Sequence, residues 1–284
     1  MIEEMDFFPT TWRLIISPAT SGAWNMAVDD AILESTRAGQ SPPTLRLYRW
    51  VPACLSLGYA QPYSDVDLEK LNARGWDIVR RATGGRAILH TDELTYSVTG
   101  PENEPRLSGD ILTSYRRLSK AILAGLEMLT LPVLAHPEKN NAIRDTIEPV
   151  CFEIPSKYEI TLNDKKLVGS AQARRQKGVL QHGTLPLTGD LSRITQVLNF
   201  STETKRDKAA ARLLLKATTV ENGVGRYISW EEVAKAFEKG FAKILNIKFI
   251  SGDLTKTEKE RAVDLEENKY GHIGWTTHRK MLQV

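Results

Sequence analysis

The sequence predicts an α+β fold in one domain, and three observations carry that prediction. Short runs of alternating apolar and polar residues, such as 44–50 and 158–162, recur through the first two thirds of the chain and read as strands. Between and after them, apolar residues return at helical spacing. No internal repeat or low-complexity linker divides the 284 residues, and a chain of that length can bury a substantial core.

Taken in order, residues 12–16 form the first expected strand, broken by Pro18 to Gly22. Trp24, Ala27, Val28, Ala31 and Ile32 then mark an amphipathic helix ending near Gly39. Residues 44–50 read as a strand, Pro52 interrupts it, and 54–59 resume. A helix over 66–74 stops at Gly75, and a strand over 77–81 runs into Arg80-Arg81-Ala82-Thr83-Gly84-Gly85-Arg86. Residues 93–98 alternate again, and Ile111, Tyr115, Leu118, Ile122 and Leu126 define one face of a long helix. Residues 132–149 are mostly polar and read as irregular. There follows a predicted antiparallel meander with Cys151 at its entrance. Its first strand is 158–162, Asn163-Asp164 supplies turn chemistry, the second strand carries Lys166, and a turn at Gln176-Lys177-Gly178 leads to a third strand over 179–187. Leu191, Ile194 and Leu198 suggest a short helix; residues 201–216, with Lys205, Arg206, Lys208 and Arg212, are basic and either helical or mobile. Ser229 with Glu232, and Thr255 with Glu258, are capping-box signatures for two further helices. Val233, Phe237, Phe241 and Ile244 form the buried face of the first. Residues from Trp275 onward read as a peripheral tail. The chain is thus expected to be one catalytic domain over 1–284, with a helical C-terminal part at about 228–270.

Composition narrows the class. Lys and Arg number 38 against 35 Asp and Glu, a net charge of +3. Such a balance does not suit a dedicated nucleic-acid binder, although a local basic patch can steer an acidic partner. No apolar run is long enough to span a bilayer, so no membrane partner is expected. An acidic N-terminus without an apolar signal region, and two thiols, suit the cytoplasm. Two cysteines are too few for a four-cysteine zinc site, and the five histidines form no HExxH pattern, so no metal is expected.

Few residues qualify for chemistry. Cys151 follows Pro149 at an expected loop-to-strand junction, close in sequence to a lysine and several arginines that favour the thiolate. Cys54, between Pro52 and an apolar strand, is assigned to packing. Lys166 and Lys165 point to opposite faces of a strand, so only one can enter a site. The small residues Gly169, Ser170 and Ala171 let a ligand approach the backbone and favour Lys166, whose ammonium could hold an acyl carbonyl. Gly84-Gly85, flanked by Arg80, Arg81 and Arg86, suits a turn that presents backbone N–H groups, with ligand contact and solvation equally open for the arginines. His90 and His182 are polar site candidates; either alone is more commonly structural.

The blocks RRATGGRAILH (80–90) and KKLVGSAQARRQKGVLQHGTL (165–185) resemble those of the biotin/lipoate protein ligase and octanoyltransferase superfamily, in the same order and over most of the chain. Within it the chain is most similar to octanoyltransferases of the LipM type. The resemblance implies mixed sheets with surrounding helices, like a biotin/lipoate ligase catalytic domain. It implies transfer of octanoyl from octanoyl-acyl carrier protein to the lipoyl-domain lysine of an acceptor such as glycine cleavage H protein. Cys151 in PVCFEIPSKYEI matches the nucleophile and Lys166 the catalytic lysine, with no ATP and no cofactor. Arg80, Arg81, Thr83, Gly84, Gly85, His90, Gly169, Ser170, Ala171 and His182 would bind substrate. Two related activities stay open. ATP-dependent lipoate ligases share the glycine and lysine blocks without needing the cysteine, and octanoyl amidotransferases keep the cysteine but take octanoyl from another protein. Arg174-Arg175-Lys177 and 205–212 could dock acidic carrier or lipoyl domains; for the latter run a solvated face is the alternative.

Overall fold

In the computed structural model of the chain, which describes residues 7–137 and 158–281, the polypeptide begins β1 (Thr10–Ile16), α1 (Gly22–Arg37), β2 (Thr44–Tyr48), β3 (Cys54–Leu57) and α2 (Leu68–Ala73). It goes on through β4 (Asp77–Arg80), β5 (Ile88–His90), β6 (Glu93–Pro101), α3 (Ile111–Met128) and β7 (Val133–Pro137). Next come β8 (Tyr158–Leu162), β9 (Lys165–Lys166), β10 (Gly169–Arg175), β11 (Gly178–Pro186) and a 3-10 turn at Leu191–Val197. Then follow α4 (Glu203–Lys216), α5 (Val220–Val224), α6 (Trp230–Leu245), β12 (Ile247–Ser251), α7 (Lys256–Leu265), a π turn at Glu266–Tyr270 and α8 (Ile273–His278).

The frame is a six-stranded sheet ordered β10-β11-β6-β2-β1-β12. It is mixed: β1 runs parallel to both β2 and β12, while β2–β6, β6–β11 and β11–β10 are antiparallel. Two three-stranded sheets, β4-β3-β5 and β7-β8-β9, flank it. This is the mixed-sheet α+β architecture expected. One face of the large sheet carries α3 and α6. Phe237 and Phe241 are fully buried beneath Tyr96, each adding about 1.5–3 kcal/mol of apolar burial. The two helices approach closely at Gly125 and Gly240, where a Cβ on Gly240 would lie 2.4 Å from the Ala121 carbonyl oxygen. The other face carries α1, with Met26, Val28 and Ile32 packed on Tyr48 and Trp50, and α7 beyond it. A third core joins β3 and β5 to the 3-10 turn and α4 through Leu55, Leu57, Ile88, Ile194 and Leu213. Both capping boxes form: Ser229 and Glu232 close the start of α6, Thr255 and Glu258 that of α7. No helix among the described residues is long and apolar enough to cross a membrane.

Three expectations need correction. The stretch 132–149 is not wholly irregular: its first residues form β7, which pairs antiparallel with β8 from Val133 opposite Leu162 to Pro137 opposite Tyr158. Its partner lies beyond a long connection, so local pattern did not reveal it. The meander is divided between two sheets. β8 and β9 stay with β7, whereas β10 and β11 join the large sheet. The break falls at the buried pair Leu167 and Val168, where the chain leaves β9 and crosses to the large sheet. Finally, Trp275 is not in a peripheral tail: it is 6 % exposed and packs edge-on against Tyr270.

Candidate active site

The loop between β4 and β5 is fixed from inside the protein. Arg80 is 2 % exposed and its guanidinium donates only to backbone: Nε to the Thr276 carbonyl (2.8 Å), Nη1 to those of Gly58 (2.9 Å), Tyr59 (3.1 Å) and Gln61 (2.6 Å). The indole N–H of Trp275 donates in turn to the Arg80 carbonyl (3.0 Å). Burial, with Arg279 nearby, lowers the Arg80 pKa from its ordinary value. Arg81, also buried, donates to the Ser56 carbonyl and hydroxyl (both 2.8 Å) and to the carbonyls of Gly84 (3.0 Å) and Arg86 (2.9 Å). The arginines therefore face inward while Gly84 and Gly85 are exposed at the tip. Gly85 adopts φ +93°, and a Cβ on Gly58 would sit 1.9 Å from the Gly85 oxygen, so that close approach requires glycine.

His90 lies flat on Trp50, with ring centroids 3.9 Å apart and planes at 11°. Its Nε2 meets Ser56 Oγ (2.7 Å) and its Nδ1 meets Glu93 Oε1 (2.5 Å). Thr95 continues the chain, donating to Glu93 and accepting from Trp50 Nε1. His182, on β11, has Nε2 2.6 Å from Thr83 Oγ1 and Nδ1 3.6 Å from Asp29 Oδ2, the latter longer than a normal hydrogen bond. Burial lowers the His182 pKa against the opposing pull of Asp29, which keeps the imidazole neutral near pH 7. Burial would raise Asp29, but His182, Arg46 and Ser97 outweigh it and hold the carboxyl below its usual range. Arg46 Nη1 (2.8 Å), Tyr48 OH (2.9 Å) and Ser97 Oγ (2.8 Å) all donate to that carboxylate.

Opposite the histidines runs the small-residue start of β10. Gly169, Ser170 and Ala171 pair with Thr184, Gly183 and His182. Ser170 Oγ meets Tyr96 OH (2.7 Å), and a Cβ on Gly183 would fall 2.5 Å from that Oγ. Arg81, His90, Gly169, Ser170, Ala171 and His182 line one slot, walled by Met26, Tyr48, Trp50 and Ile88. Its free volume is about 20 Å³, room for a single water, so any larger occupant must displace side chains.

Lys166 lies on a different sheet, and it is not among the residues that line this slot. It is 5 % exposed, with Nζ 3.1 Å from Glu159 Oε1, and its carbonyl accepts from Thr218 N (3.1 Å). Lys165 points the other way, donating to the Leu214 carbonyl (2.7 Å), in keeping with the predicted alternation. The turn between β8 and β9 uses Asn163 (φ +52°) and Asp164 (φ +60°). Cys151 lies outside the described residues. Cys54 is fully buried against Gly22, and burial, with Asp77 and Glu93, pushes its thiol pKa well up. Sequence reading missed Asp29, Ser56, Glu93 and Glu159. Asp29 had a signal: it is an acid beside Val28 on a helix otherwise buried there. Among the described residues no cluster of His, Cys, Asp and Glu could hold a metal ion.

Comparison with known proteins adds the following. The sequence profile of the lipoyl protein ligase A/B catalytic domain matches residues 21–242. The chain is 40 % identical over 270 residues to octanoyltransferase LipM of Moorella thermoacetica, covering 95 % of this chain and 98 % of the relative. It is 38 % identical over 257 residues to octanoyltransferase LipM of Clostridioides difficile, covering 90 % and 95 %. Among solved structures, the bipartite lipoate protein ligase of Thermoplasma acidophilum superposes with a TM-score of 0.80 at 28 % identity, covering 96 % of this chain and 99 % of that one. Lipoate-protein ligase A bound with ATP superposes at 0.77 and 27 % identity, covering 95 % and 100 %.

Proposed function

This chain belongs to the lipoyl protein ligase A/B catalytic-domain family, and we propose that it is an octanoyltransferase of lipoate biosynthesis that carries octanoyl on Cys151 from octanoyl-acyl carrier protein to a lipoyl-domain lysine. An acceptor such as glycine cleavage H protein fits that reaction. The observation that carries the reading is likeness to octanoyltransferases along nearly the whole chain.

The chemistry is two displacements. The Cys151 thiolate attacks the thioester carbonyl, its S–C bond forms, and the carrier thiolate leaves. The acceptor amine then attacks the new thioester, the N–C bond forms, the Cys151 thiolate is released and the amine gives up a proton. Each attack develops an oxyanion. We assign its stabilisation to Lys166, whose buried ammonium is paired at rest with Glu159 and turns in this reading toward the developing negative charge. The acyl chain occupies the slot between Trp50–His90 and Gly169-Ser170-Ala171, moving flexible wall residues such as Met26 aside. His182, neutral and fixed by Thr83 and Asp29, adds shape without a charge beside the hydrocarbon. Thr83, Gly84 and Gly85 present backbone toward the ligand, Arg80 fixes that loop rather than reaching the substrate itself, and Arg81 both fixes the loop and lines the slot. Amide formation from a thioester is downhill, so no ATP is consumed.

The test is intact mass after brief exposure to octanoyl-acyl carrier protein without ATP. An octanoyl adduct on wild type and Cys54→Ala, absent from Cys151→Ala and removed by hydroxylamine, is expected. A second reading, ATP-dependent ligation, draws on the likeness to lipoate-protein ligase A bound with ATP. Transfer from free acid and ATP that survives Cys151→Ala would select it.

A further inference from the structure

One polar group in the acyl slot is left over from the protein's own bonding. Thr184, on β11, lines the slot and is fully buried, and its Oγ1 has no hydrogen-bond partner among the described residues. Burying a hydroxyl without a partner is unfavourable, so such groups are rare and call for an explanation. The other polar side chains of the slot are engaged within the protein. Tyr48 donates to Asp29, Arg81 to Ser56 and to loop carbonyls, and His90 sits between Ser56 and Glu93. Thr95 is held by Glu93 and Trp50, Ser170 by Tyr96, and His182 by Thr83. Other buried polar atoms also lack partners, among them Trp12 Nε1, Thr99 Oγ1 and Trp230 Nε1, but none of those residues lines the slot.

Strand register accounts for the leftover hydroxyl. Thr184 pairs with Gly169 on one side and with Thr95 on the other. Gly169 brings no side chain, and the Thr95 hydroxyl gives its hydrogen to Glu93 while accepting from Trp50. Alternation along β11 turns Thr184 to the same face as His182. The Gly169–Thr184 pair also begins the β10–β11 ladder, three residues after Lys166, and Ser170–Gly183 and Ala171–His182 lie progressively farther along it. Thr184 is thus at the end of the slot nearest along the chain to the lysine assigned to the oxyanion.

An octanoyl group offers one oxygen acceptor, its carbonyl, and the rest is hydrocarbon. A hydroxyl set against the hydrocarbon would stay unpaired when the slot fills, whereas one set at the carbonyl gains its partner when the acyl group arrives. We infer that Thr184 is a further catalytic residue: its hydroxyl donates to the acyl carbonyl oxygen, and that bond strengthens as the oxygen gains charge in each attack. The proton stays on Thr184 throughout. The inference rests on the acyl-transfer reading above.

The test compares Thr184→Val, which keeps the shape and removes the hydroxyl, with Thr184→Ser, which keeps the hydroxyl. In transfer from octanoyl-acyl carrier protein to a lipoyl-domain acceptor, Thr184→Val lowers kcat about 100-fold and leaves the donor KM near its wild-type value, while Thr184→Ser recovers most of the rate. Removing a hydroxyl that has no partner leaves Tm unchanged or raises it by about 2 °C, whereas removing a structural hydroxyl would lower it. In acyl-enzyme made with octanoyl isotope-labelled at the carbonyl carbon, the infrared carbonyl stretch lies lower in wild type and Thr184→Ser than in Thr184→Val. An unchanged rate in Thr184→Val, equal losses in both variants, or a carbonyl stretch that Thr184→Val does not move overturns the assignment. A wild-type enzyme that transfers only from free acid with ATP refutes the carrier reading instead. The same two variants, compared on that reaction, then decide Thr184, because an acyl carbonyl enters the slot in either case.

Discussion

The Gly84-Gly85 loop and the Lys165–Lys166 hairpin, the two segments that sequence reading singled out for ligand contact, are fastened differently. Two buried arginines hold the loop through bonds to backbone carbonyls, drawn from Ser56 to Gln61 on one side and Thr276 on the other. Among the bonds that hold the hairpin are two backbone pairings, the bond from Thr218, the Lys165 bond to the Leu214 carbonyl, and an ion pair from Lys166 to Glu159, whose side chain is 20 % exposed. A guanidinium solvated by interior carbonyls cannot leave them without cost, since each buried carbonyl then lacks a partner. An ammonium beside a partly exposed carboxylate can change partners. The first arrangement shapes a ligand; the second answers a charge that appears only during reaction.

Substitutions can break or sharpen that contrast. Lys166→Ala should lower kcat by about 10²–10³ in single-turnover transfer, in the range for removing one oxyanion donor. Its melting temperature should move little, because Glu159 can turn to solvent. A variant that keeps its rate would remove Lys166 from the chemistry. Arg80→Ala should act the opposite way, destabilising by about 3 kcal/mol or more and lowering Tm by roughly 6–12 °C. If calorimetry instead found an unchanged Tm and a raised KM, Arg80 would be a ligand contact after all. Trp275→Phe keeps the aromatic bulk and removes the bond to the Arg80 carbonyl, for an expected loss of about 1 kcal/mol. Faster hydrogen exchange at the Tyr59 amide, which donates to the Thr83 carbonyl, would locate that loss in the loop.

The smallest signal concerns pH. The His182 pKa lies below its ordinary 6.5 in the folded state, so the unfolded chain binds the extra proton first. Stability is complete above about pH 6.5 and falls as pH drops from there toward the depressed folded value. Asp29, held below its ordinary 3.8, adds a further loss at lower pH. Denaturant unfolding of His182→Gln between pH 7.5 and 5 should show a flatter dependence than wild type; parallel curves would exclude His182 as the source.

Much of this was legible in the sequence because it is local. Both capping boxes, the Asn163-Asp164 turn and the opposed faces of Lys165 and Lys166 depend on neighbours a few residues away. What escaped depends on distant partners. β12 carries only one fully buried residue, Ile247, and exists because β1 offers it a parallel edge. That Arg80 points inward follows from carbonyls at 58–61 and 276, which no spacing near the glycines announces. Glu159 stood in plain view in the strand pattern, but its pairing with Lys166 is a cross-strand diagonal that needs the register. Cys151 was named from sequence and resemblance, and it lies outside the described residues.

The bond between Trp275 and Arg80 also has a consequence in time. Protein synthesis runs from the N-terminus, so the glycine loop, both histidines and Lys166 all leave the ribosome before the residues that latch the loop. A nascent chain ending at Tyr270 should contain every wall of the slot and still lack the partner of the Arg80 Nε. Release of the last helix would then act as a completion signal, and chains stalled before it should bind acyl thioesters weakly on a ribosome-display column while full-length chains are retained.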